Sequence, residues 1–159
     1  MKWVALFSQT GSEIETLSNK IGRVPDYIYT NNFDSSNSKA VKAKHKDIMS
    51  ILVDKHKHDL ITLHGYLRII PEKVCFNCSK MYNGHPGLIT EYPVLRGIDP
   101  QERIEPWMSY IGSVVHRVIP KVDGGKVVSY AKVKNTGGDY YNILRETSLE
   151  AWEQFFENY

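Results

Sequence analysis

Short apolar runs alternate with helical segments through the first half of the chain, and this alternation constrains the fold most strongly. Residues 2–7 form an apolar run that ends in a polar loop, and Ile14 and Leu17 then recur at helical spacing. A strand, a tight loop and a helix in this order are typical of the start of an α/β fold. Strand-like runs at residues 25–30 and 59–63 repeat the pattern. Because helical crossovers join parallel strands, we expect a mostly parallel sheet.

The segments between and beyond these runs predict further elements. In order, they are a loop over residues 31–38, a helix from a Ser38 cap to about His56, a short helix over residues 71–78, a strand over residues 81–83, and a helix over residues 100–110. The strand over residues 81–83 is expected to end in the polar run 83–87.

The carboxyl-terminal part has a different pattern. Strand-like residues 112–119 and 126–134 are joined by a short turn with two glycines, which predicts a hairpin-like pair. Residues 139–158 carry apolar side chains at helical spacing and predict a closing amphipathic helix. The predicted fold is α/β, with a mostly parallel Rossmann-like sheet, flanking helices and an antiparallel addition near the C-terminus. We expect one domain over residues 1–159, because that length suits a single core.

The composition argues against several classes of protein. Hydrophobic residues make up 42% and charged residues 24%, which is typical of a globular chain and not of a disordered one. The net charge of +2 is too small to indicate a nucleic-acid partner. His45, His56 and His58 lie among lysines and are interpreted as solvated. No run of about 18 apolar residues occurs and the amino terminus does not resemble a signal peptide, so we expect a cytoplasmic protein with no membrane partner.

Cys75 and Cys78 form a CxxC motif, which occurs in redox pairs and as half of a zinc site. A zinc site needs two more ligands at matching spacing, and the chain has no other cysteine. A thioredoxin-like pair would follow an early strand. The motif is therefore interpreted as two core or partly buried thiols on a short helix, and no metal is expected.

Three polar residues stand at the ends of predicted strands. Asn83 and His85 follow one strand, and Asp123 lies in the turn between two others. Ligands of open α/β sheets bind beyond the carboxyl ends of the strands, so these residues are placed to meet in a cleft. Acyl transfer to an amine needs a donor for the developing oxyanion, which an asparagine amide supplies, and a histidine–aspartate pair to manage protons. The spacing alone does not decide this, because an Asn-Gly turn near a histidine is common.

A resemblance to a known family supports the chemical interpretation. Residues 83–88, Asn-Gly-His-Pro-Gly-Leu, resemble the Asn-x-His-Pro-Ser-Leu signature of the folate-dependent formyltransferases. Four further stretches resemble segments of the family's phosphoribosylglycinamide branch, in the same order. They are residues 7–12, 64–70, 112–116 and 122–125. These matches span most of the chain, and their shared order is more specific than any one motif.

The resemblance implies a reaction and a set of site residues. It implies direct attack of an amine on the formyl carbon of 10-formyltetrahydrofolate, with Asn83, His85 and Asp123 as the catalytic residues. The folate-binding positions that it implies are Leu67, Arg68, Ile69, Ile70, Val122 and Asp123. The reaction so implied needs neither a metal nor a covalent enzyme intermediate. His116 is interpreted as packing or support rather than as a proton carrier.

The expected acceptor site shows two departures from the purine branch. Its residues are Gly11, Ser12, Glu13 and Pro86. Glu13 stands where the purine branch has an asparagine that helps to grip a substrate phosphate, and a carboxylate there disfavours a phosphate unless it turns away. Residues 93–101 instead resemble the Arg-Gly-x-x-Pro-Gln segment of the amino-sugar branch.

Several alternatives therefore stay open at the sequence level. The acceptor is a purine precursor, an amino-sugar nucleotide or another small amine. A 10-formyltetrahydrofolate hydrolase would use the same three catalytic residues with water, and a folate-binding protein without activity would not need them. The expected partners are folate and a small-molecule amine, with no nucleic acid. A homodimer is left open.

Overall fold

A computed structural model describes the chain from Met1 to Tyr159. The seven strands are β1 (Trp3–Phe7), β2 (Tyr27–Thr30), β3 (Ala40–Lys42), β4 (Leu60–His64), β5 (Met81–Pro86), β6 (Tyr110–Arg117) and β7 (Val127–Lys134). The four α-helices are α1 (Ser12–Ile21), α2 (His45–Lys55), α3 (Glu72–Asn77) and α4 (Tyr140–Asn158). Two short 3-10 helices occupy Pro93–Leu95 and Pro100–Arg103.

The seven strands form one sheet in the order β3-β2-β1-β4-β5-β6-β7. β1 pairs in parallel with β2 and β4, and β2 pairs in parallel with β3. β6 and β7 pair antiparallel, with an irregularity between Val115 and His116. The predicted fold class, a mostly parallel sheet with an antiparallel addition near the C-terminus, is confirmed.

The chain divides into two compact units. Unit 1 comprises residues 1–83 and 118–120, and unit 2 comprises residues 84–117 and 121–159. The division falls within β5. The single catalytic domain over residues 1–159 stays a prediction.

The core of unit 1 lies around β1 and β4. All five residues of each strand are buried, as expected for parallel strands covered on both faces. Ile48 and Leu52 of α2 pack in the same apolar cluster as Leu6 and Ile61. α1 and α2 supply apolar faces at helical spacing, which is why the sequence pattern identified most of this unit.

The core of unit 2 is built on α4, which packs against β6 and β7. Ser113 donates a hydrogen bond of 2.9 Å to the Leu144 carbonyl, and Ser129 donates one of 2.7 Å to the Ala151 carbonyl. Asp139 caps α4, since its Oδ1 accepts from the Asn142 N–H at 3.2 Å. The predicted closing helix is confirmed.

Two predicted helices are corrected. α2 begins at His45 and not at a Ser38 cap, because residues 40–42 form β3, a short and largely exposed strand with no alternation that would reveal it. The helix predicted over residues 100–110 is a 3-10 turn that ends at Arg103, and β6 begins at Tyr110. Pro106 is incompatible with a helix interior, since it lacks an N–H and its ring clashes with the preceding turn.

Two smaller predictions are also wrong. β5 continues to Pro86, so Asn83 and His85 lie on a strand and not in the loop after it. His56 is buried and not solvated: its Nε2 is 2.8 Å from the Tyr29 hydroxyl and its Nδ1 is 2.9 Å from Asp59. The basic residues around His56 concealed this buried contact in the sequence.

None of the helices combines the length and the apolar character needed to span a membrane. Cys75 and Cys78 are buried free thiols in unit 1. Burial raises the pKa of both thiols, that of Cys78 to about 11, so neither is a ready nucleophile.

Candidate active site

The central part of β5 explains the Asn-Gly-His motif. Alternate residues of a strand share a face, so Asn83 and His85 share one and Gly84 lies on the other. A Cβ on Gly84 would lie 2.5 Å from Nε1 of Trp152, so only glycine lets α4 pack this closely on the strand. Pro86 is half-buried and ends the strand.

His85 is buried, and each of its ring nitrogens faces a defined partner. Nε2 donates a hydrogen bond of 2.7 Å to the Leu95 carbonyl, while Nδ1 lies 3.5 Å from Oδ2 of Asp123. Burial lowers the pKa of His85 below 6.5, against the opposing effects of the Asp123 charge and the Leu95 hydrogen bond. The imidazole is therefore neutral near pH 7. Because a carbonyl only accepts, the proton of the neutral ring is on Nε2, and Nδ1 is the nitrogen that can take one up.

Asp123 lies in the turn after β6, with φ of 53° and a side chain only 9% exposed. Its Oδ2 accepts a hydrogen bond of 2.8 Å from the Gly97 N–H, and its Oδ1 is 3.3 Å from Nε2 of His116. Burial raises the pKa of Asp123, but the contact with His116, the His85 charge and the Gly97 hydrogen bond outweigh it and hold the pKa below 3.8. Asp123 is thus a carboxylate at neutral pH.

His116 completes the group around Asp123. Its Nδ1 donates a hydrogen bond of 2.9 Å to the Arg117 carbonyl, and the ring is buried. Both histidines therefore give one N–H to a backbone carbonyl and turn the other nitrogen to Asp123. That second nitrogen carries a hydrogen only when the ring is a cation. The cluster of His85, Asp123 and His116 can accordingly take up a proton and stabilise its charge.

The expected folate segment lies in unit 1. The Leu67 N–H donates a hydrogen bond of 2.8 Å to Oγ of Ser8, and the Gly65 carbonyl accepts one of 3.2 Å from the Ser8 N–H. Leu67 is 60% and Ile69 69% exposed, whereas Ile70 is buried. Arg68 is exposed, as is Val122 beside Asp123 in unit 2. The segment is thus an anchored backbone that presents two uncovered apolar side chains.

The expected acceptor segment forms the amino end of α1. Gly11 is the N-cap, with φ of 72°, and a Cβ there would lie 2.9 Å from the Phe7 ring. Ser12 begins the helix, and its N–H donates a hydrogen bond of 3.3 Å to Oγ1 of Thr10. The amino end of a helix favours anions, since its first N–H groups lack partners within the helix.

Glu13 is held by a buried polar chain within unit 1. Its Oε1 is 2.8 Å from Nδ1 of His64, and Nε2 of His64 is 2.8 Å from Oγ1 of Thr62. Thr62 in turn accepts a hydrogen bond of 2.8 Å from Nε1 of Trp3. If Trp3 donates to Thr62, Thr62 to His64 and His64 to Glu13, every hydrogen bond of this chain points from donor to acceptor in the direction of Glu13. The carboxylate is thereby turned toward His64 and lies in the first turn of α1.

Comparisons with known proteins identify the family of this chain. A model of the formyl transferase family matches residues 1–154. The chain belongs to the formyl transferase family. It is 27% identical over 162 residues to phosphoribosylglycinamide formyltransferase of Escherichia coli (strain K12), covering 87% of this chain and 76% of that protein.

Two further relatives carry the same name. The phosphoribosylglycinamide formyltransferase of Haemophilus influenzae is 32% identical over 135 residues, which is 84% of this chain and 57% of the relative's own length. The crystal structure of the Campylobacter jejuni protein superposes with a TM-score of 0.78 at 23% identity, covering 98% of this chain and 97% of the other. The similarity to the Campylobacter jejuni structure shows that the two chains share a fold.

Three contributors to the cluster had no assigned role at the sequence level. The Leu95 carbonyl and the Gly97 N–H are backbone groups, which leave no side-chain signal. Arg103 hydrogen-bonds to the segment that contains them. The resemblance of residues 93–101 to the amino-sugar branch marked this segment but suggested a role in acceptor choice.

Proposed function

We propose that this chain transfers the formyl group of 10-formyltetrahydrofolate to the amino group of a small molecule, as its relatives' name describes for phosphoribosylglycinamide. The observation that carries the proposal is the buried pair of His85 and Asp123, with a neutral imidazole and a charged carboxylate. His85 lies on the strand that carries the family's Asn-x-His motif. Such a pair is suited to accept the proton that an attacking amine must lose.

The residues of the pair take complementary roles. When bound, 10-formyltetrahydrofolate supplies an electrophilic formyl carbon to the amine. The Asn83 amide donates a hydrogen bond to the negative charge that develops on the formyl oxygen. Nδ1 of His85 takes up the proton of the amine and later returns it toward the departing nitrogen. Asp123 stabilises the imidazolium in between, because it stays a carboxylate.

The segment from Leu67 to Ile70 supports the assignment of the donor. A pterin ring needs an apolar surface and edge-on backbone partners. Leu67 and Ile69 are uncovered apolar side chains on a backbone that Ser8 anchors, so this segment fits the ring. Val122 and Asp123, the folate-binding positions expected in unit 2, stay predictions.

Glu13 determines which acceptors suit the amino end of α1. Gly11 and Ser12 provide the helix end that binds an anion, as a phosphoribosyl acceptor requires. The Glu13 charge opposes that binding, although its contact with His64 turns it aside. We therefore propose phosphoribosylglycinamide as the first acceptor to test, with an amino-sugar nucleotide as the second. The pathway, the cytoplasmic location, the homodimer and the lack of a nucleic-acid partner stay predictions.

A direct assay tests the proposed reaction. The protein is incubated with 10-formyltetrahydrofolate and, separately, phosphoribosylglycinamide, an amino-sugar nucleotide, or no amine, and the products are identified by mass spectrometry. A formylated amine supports the transferase, and the better substrate identifies the acceptor class. Formate released at the same rate with and without amines would show a hydrolase instead. No consumption of the folate under any condition would contradict both activities.

A further inference from the structure

Arg103 binds one segment of unit 2, which runs from Val94 in the first 3-10 helix to Asp99 at the start of the second. Its guanidinium donates hydrogen bonds to four backbone carbonyls. They belong to Val94 (2.9 Å), Arg96 (2.8 Å), Ile98 and Asp99 (3.3 Å). Only arginine offers five N–H donors in a planar fork, so no other side chain could hold all four acceptors.

The two residues between these carbonyls contact the proposed catalytic pair. The Leu95 carbonyl accepts from Nε2 of His85, and the Gly97 N–H donates to Oδ2 of Asp123. From residue 94 to residue 98 the backbone therefore alternates between groups bound by Arg103 and groups bound by the pair. A displacement of this backbone would move both partners of the pair at once.

We propose that Arg103 is a positioning residue, which fixes the Leu95 carbonyl and the Gly97 N–H and thereby sets the geometry of His85 and Asp123. The inference rests on the proposed function, because it assigns Arg103 a role in the reaction of that pair. The proposal gives Arg103 itself no contact with either substrate.

The segment needs such support because its own structure is irregular. Gly97 has φ of 91° and Asp99 has φ of 51°, so two left-handed residues interrupt any regular hydrogen-bond ladder. Of the four carbonyls, only that of Asp99 also accepts a backbone bond outside the regular elements, from the Glu102 N–H at 3.2 Å, and the guanidinium provides a donor to all four. The Pro93–Leu95 turn contributes two local bonds, from the Leu95 N–H to the Tyr92 carbonyl at 2.9 Å and from the Arg96 N–H to the Pro93 carbonyl at 3.1 Å.

The charge of Arg103 has a second consequence for the pair. Burial is the main reason that the pKa of His85 is low, Asp123 and the Leu95 hydrogen bond oppose it, and the positive charges of His116 and Arg103 lower it further. Arg103→Met should therefore raise the pKa of His85, whereas Arg103→Lys keeps the charge and loses the fork. The two variants separate geometry from charge.

Steady-state kinetics provides the first test. We expect Arg103→Met to lower kcat by up to about 10²-fold, the scale of a misplacement of about 1 Å, with little change in KM for the folate. Arg103→Lys should fall between Arg103→Met and wild type. The acid limb of the kcat/KM profile should move to higher pH in Arg103→Met but not in Arg103→Lys. Arg145 is an exposed arginine of the same unit, hydrogen-bonded to Asn142, and Arg145→Met is the matched control with wild-type values expected.

A double variant tests whether Arg103 acts through the pair. In an Asp123→Asn background, Arg103→Met should lower kcat by a much smaller factor than it does in the wild-type protein. The reason is that the pair that Arg103 positions is already impaired by Asp123→Asn. Multiplicative losses would overturn the proposal and indicate a separate structural role. Circular dichroism and thermal melting confirm that each variant is folded.

A measurement without turnover separates this inference from the proposed function. If Asp123→Asn retains wild-type turnover, the proposed catalytic assignment is wrong. The positioning claim is then decided by NMR: the Gly97 amide should exchange faster in both Arg103 variants, and His85 should titrate at higher pH in Arg103→Met. Wild-type exchange at Gly97 together with wild-type titration of His85 would overturn it.

Discussion

The cluster around Asp123 and the amino end of α1 both pair a carboxylate with a buried histidine, yet they differ in how the carboxylate is held. Asp123 is 9% exposed and is bound by a backbone N–H as well as two imidazoles. Glu13 is 24% exposed, and its Oε1 lies 2.8 Å from Nδ1 of His64. Backbone partners survive most substitutions, whereas a contact between side chains is lost with either residue. Asp123 is thus the less exposed of the two carboxylates, and one of its partners cannot be removed by a side-chain substitution.

The largest effect is expected at the proposed catalytic residues Asn83 and Asp123. Asn83→Ala should lower kcat by about 10²-fold or more, the scale of losing one donor to a developing oxyanion. Asp123→Ala should lower kcat by about 10²-fold or more as well, because the imidazolium of His85 loses its counter-charge. Asp54→Ala, an exposed carboxylate of α2, is the matched control. Wild-type rates in either variant, measured by folate absorbance under saturating substrates, would remove that residue from the mechanism.

An effect of intermediate size is expected at the proposed folate segment, Leu67 to Ile70. A saturating folate analogue should raise the unfolding free energy, by about 2.7 kcal/mol at 100 times its Kd. Ile69→Asp places a charge on an exposed apolar position, so it should weaken this stabilisation without changing the melting of the free protein. Val24→Asp, also exposed and in the same unit, should leave the folate shift unchanged. Equal melting shifts in both variants would exclude Ile69 from the folate site.

A smaller effect is expected at the acceptor end. Glu13→Gln keeps an acceptor for His64 and removes the charge, so it should favour a phosphate-bearing acceptor by about 1 kcal/mol, since like charges a few ångströms apart cost about that much in water. Glu13→Asn restores the purine-branch residue but loses reach toward His64. Glu15→Gln in the same helical turn is the matched control. If kcat/KM for phosphoribosylglycinamide is high in wild type and unchanged by Glu13→Gln, Glu13 does not disfavour the phosphate.

The smallest effect concerns pH and stability. The folded-state pKa of His85 lies below 6.5, so as the pH falls the unfolded chain takes up the proton first. The contribution of His85 to stability is therefore full above about pH 6.5 and declines as the pH falls toward the lower folded value. The contribution of Asp123 to stability also declines as the pH falls, in its case below about pH 3.8, because its folded-state pKa is lowered from 3.8. Thermal melts of wild type and His85→Asn between about pH 8 and pH 5 should show a shallower decline in the variant; a steeper one would contradict the assignment. His58→Asn is the exposed control.

The sequence predicted those parts of the fold whose periodicity reflects burial. β1, β4 and α4 follow from apolar spacing, because each is packed on a core. β3 was missed because three largely exposed residues carry no such pattern, and the helix over 100–110 was wrong because Pro106 outweighs helical spacing. The Asn-x-His motif and the Asp123 turn pointed to the candidate site. The Leu95 carbonyl and the Gly97 N–H could not be predicted, since tertiary structure alone brings backbone groups to a site.

The most direct test of the central claim is a single-turnover experiment with 10-formyltetrahydrofolate labelled in the formyl group. Wild type and Asp123→Asn are mixed with the labelled folate and the best acceptor, and the label is followed in the amine and in formate. Wild type should move the label to the amine in an amount equal to the tetrahydrofolate formed, and Asp123→Asn should bind the folate but transfer about 10²-fold more slowly. Label that appears only as formate, or transfer at the wild-type rate by Asp123→Asn, would contradict the account.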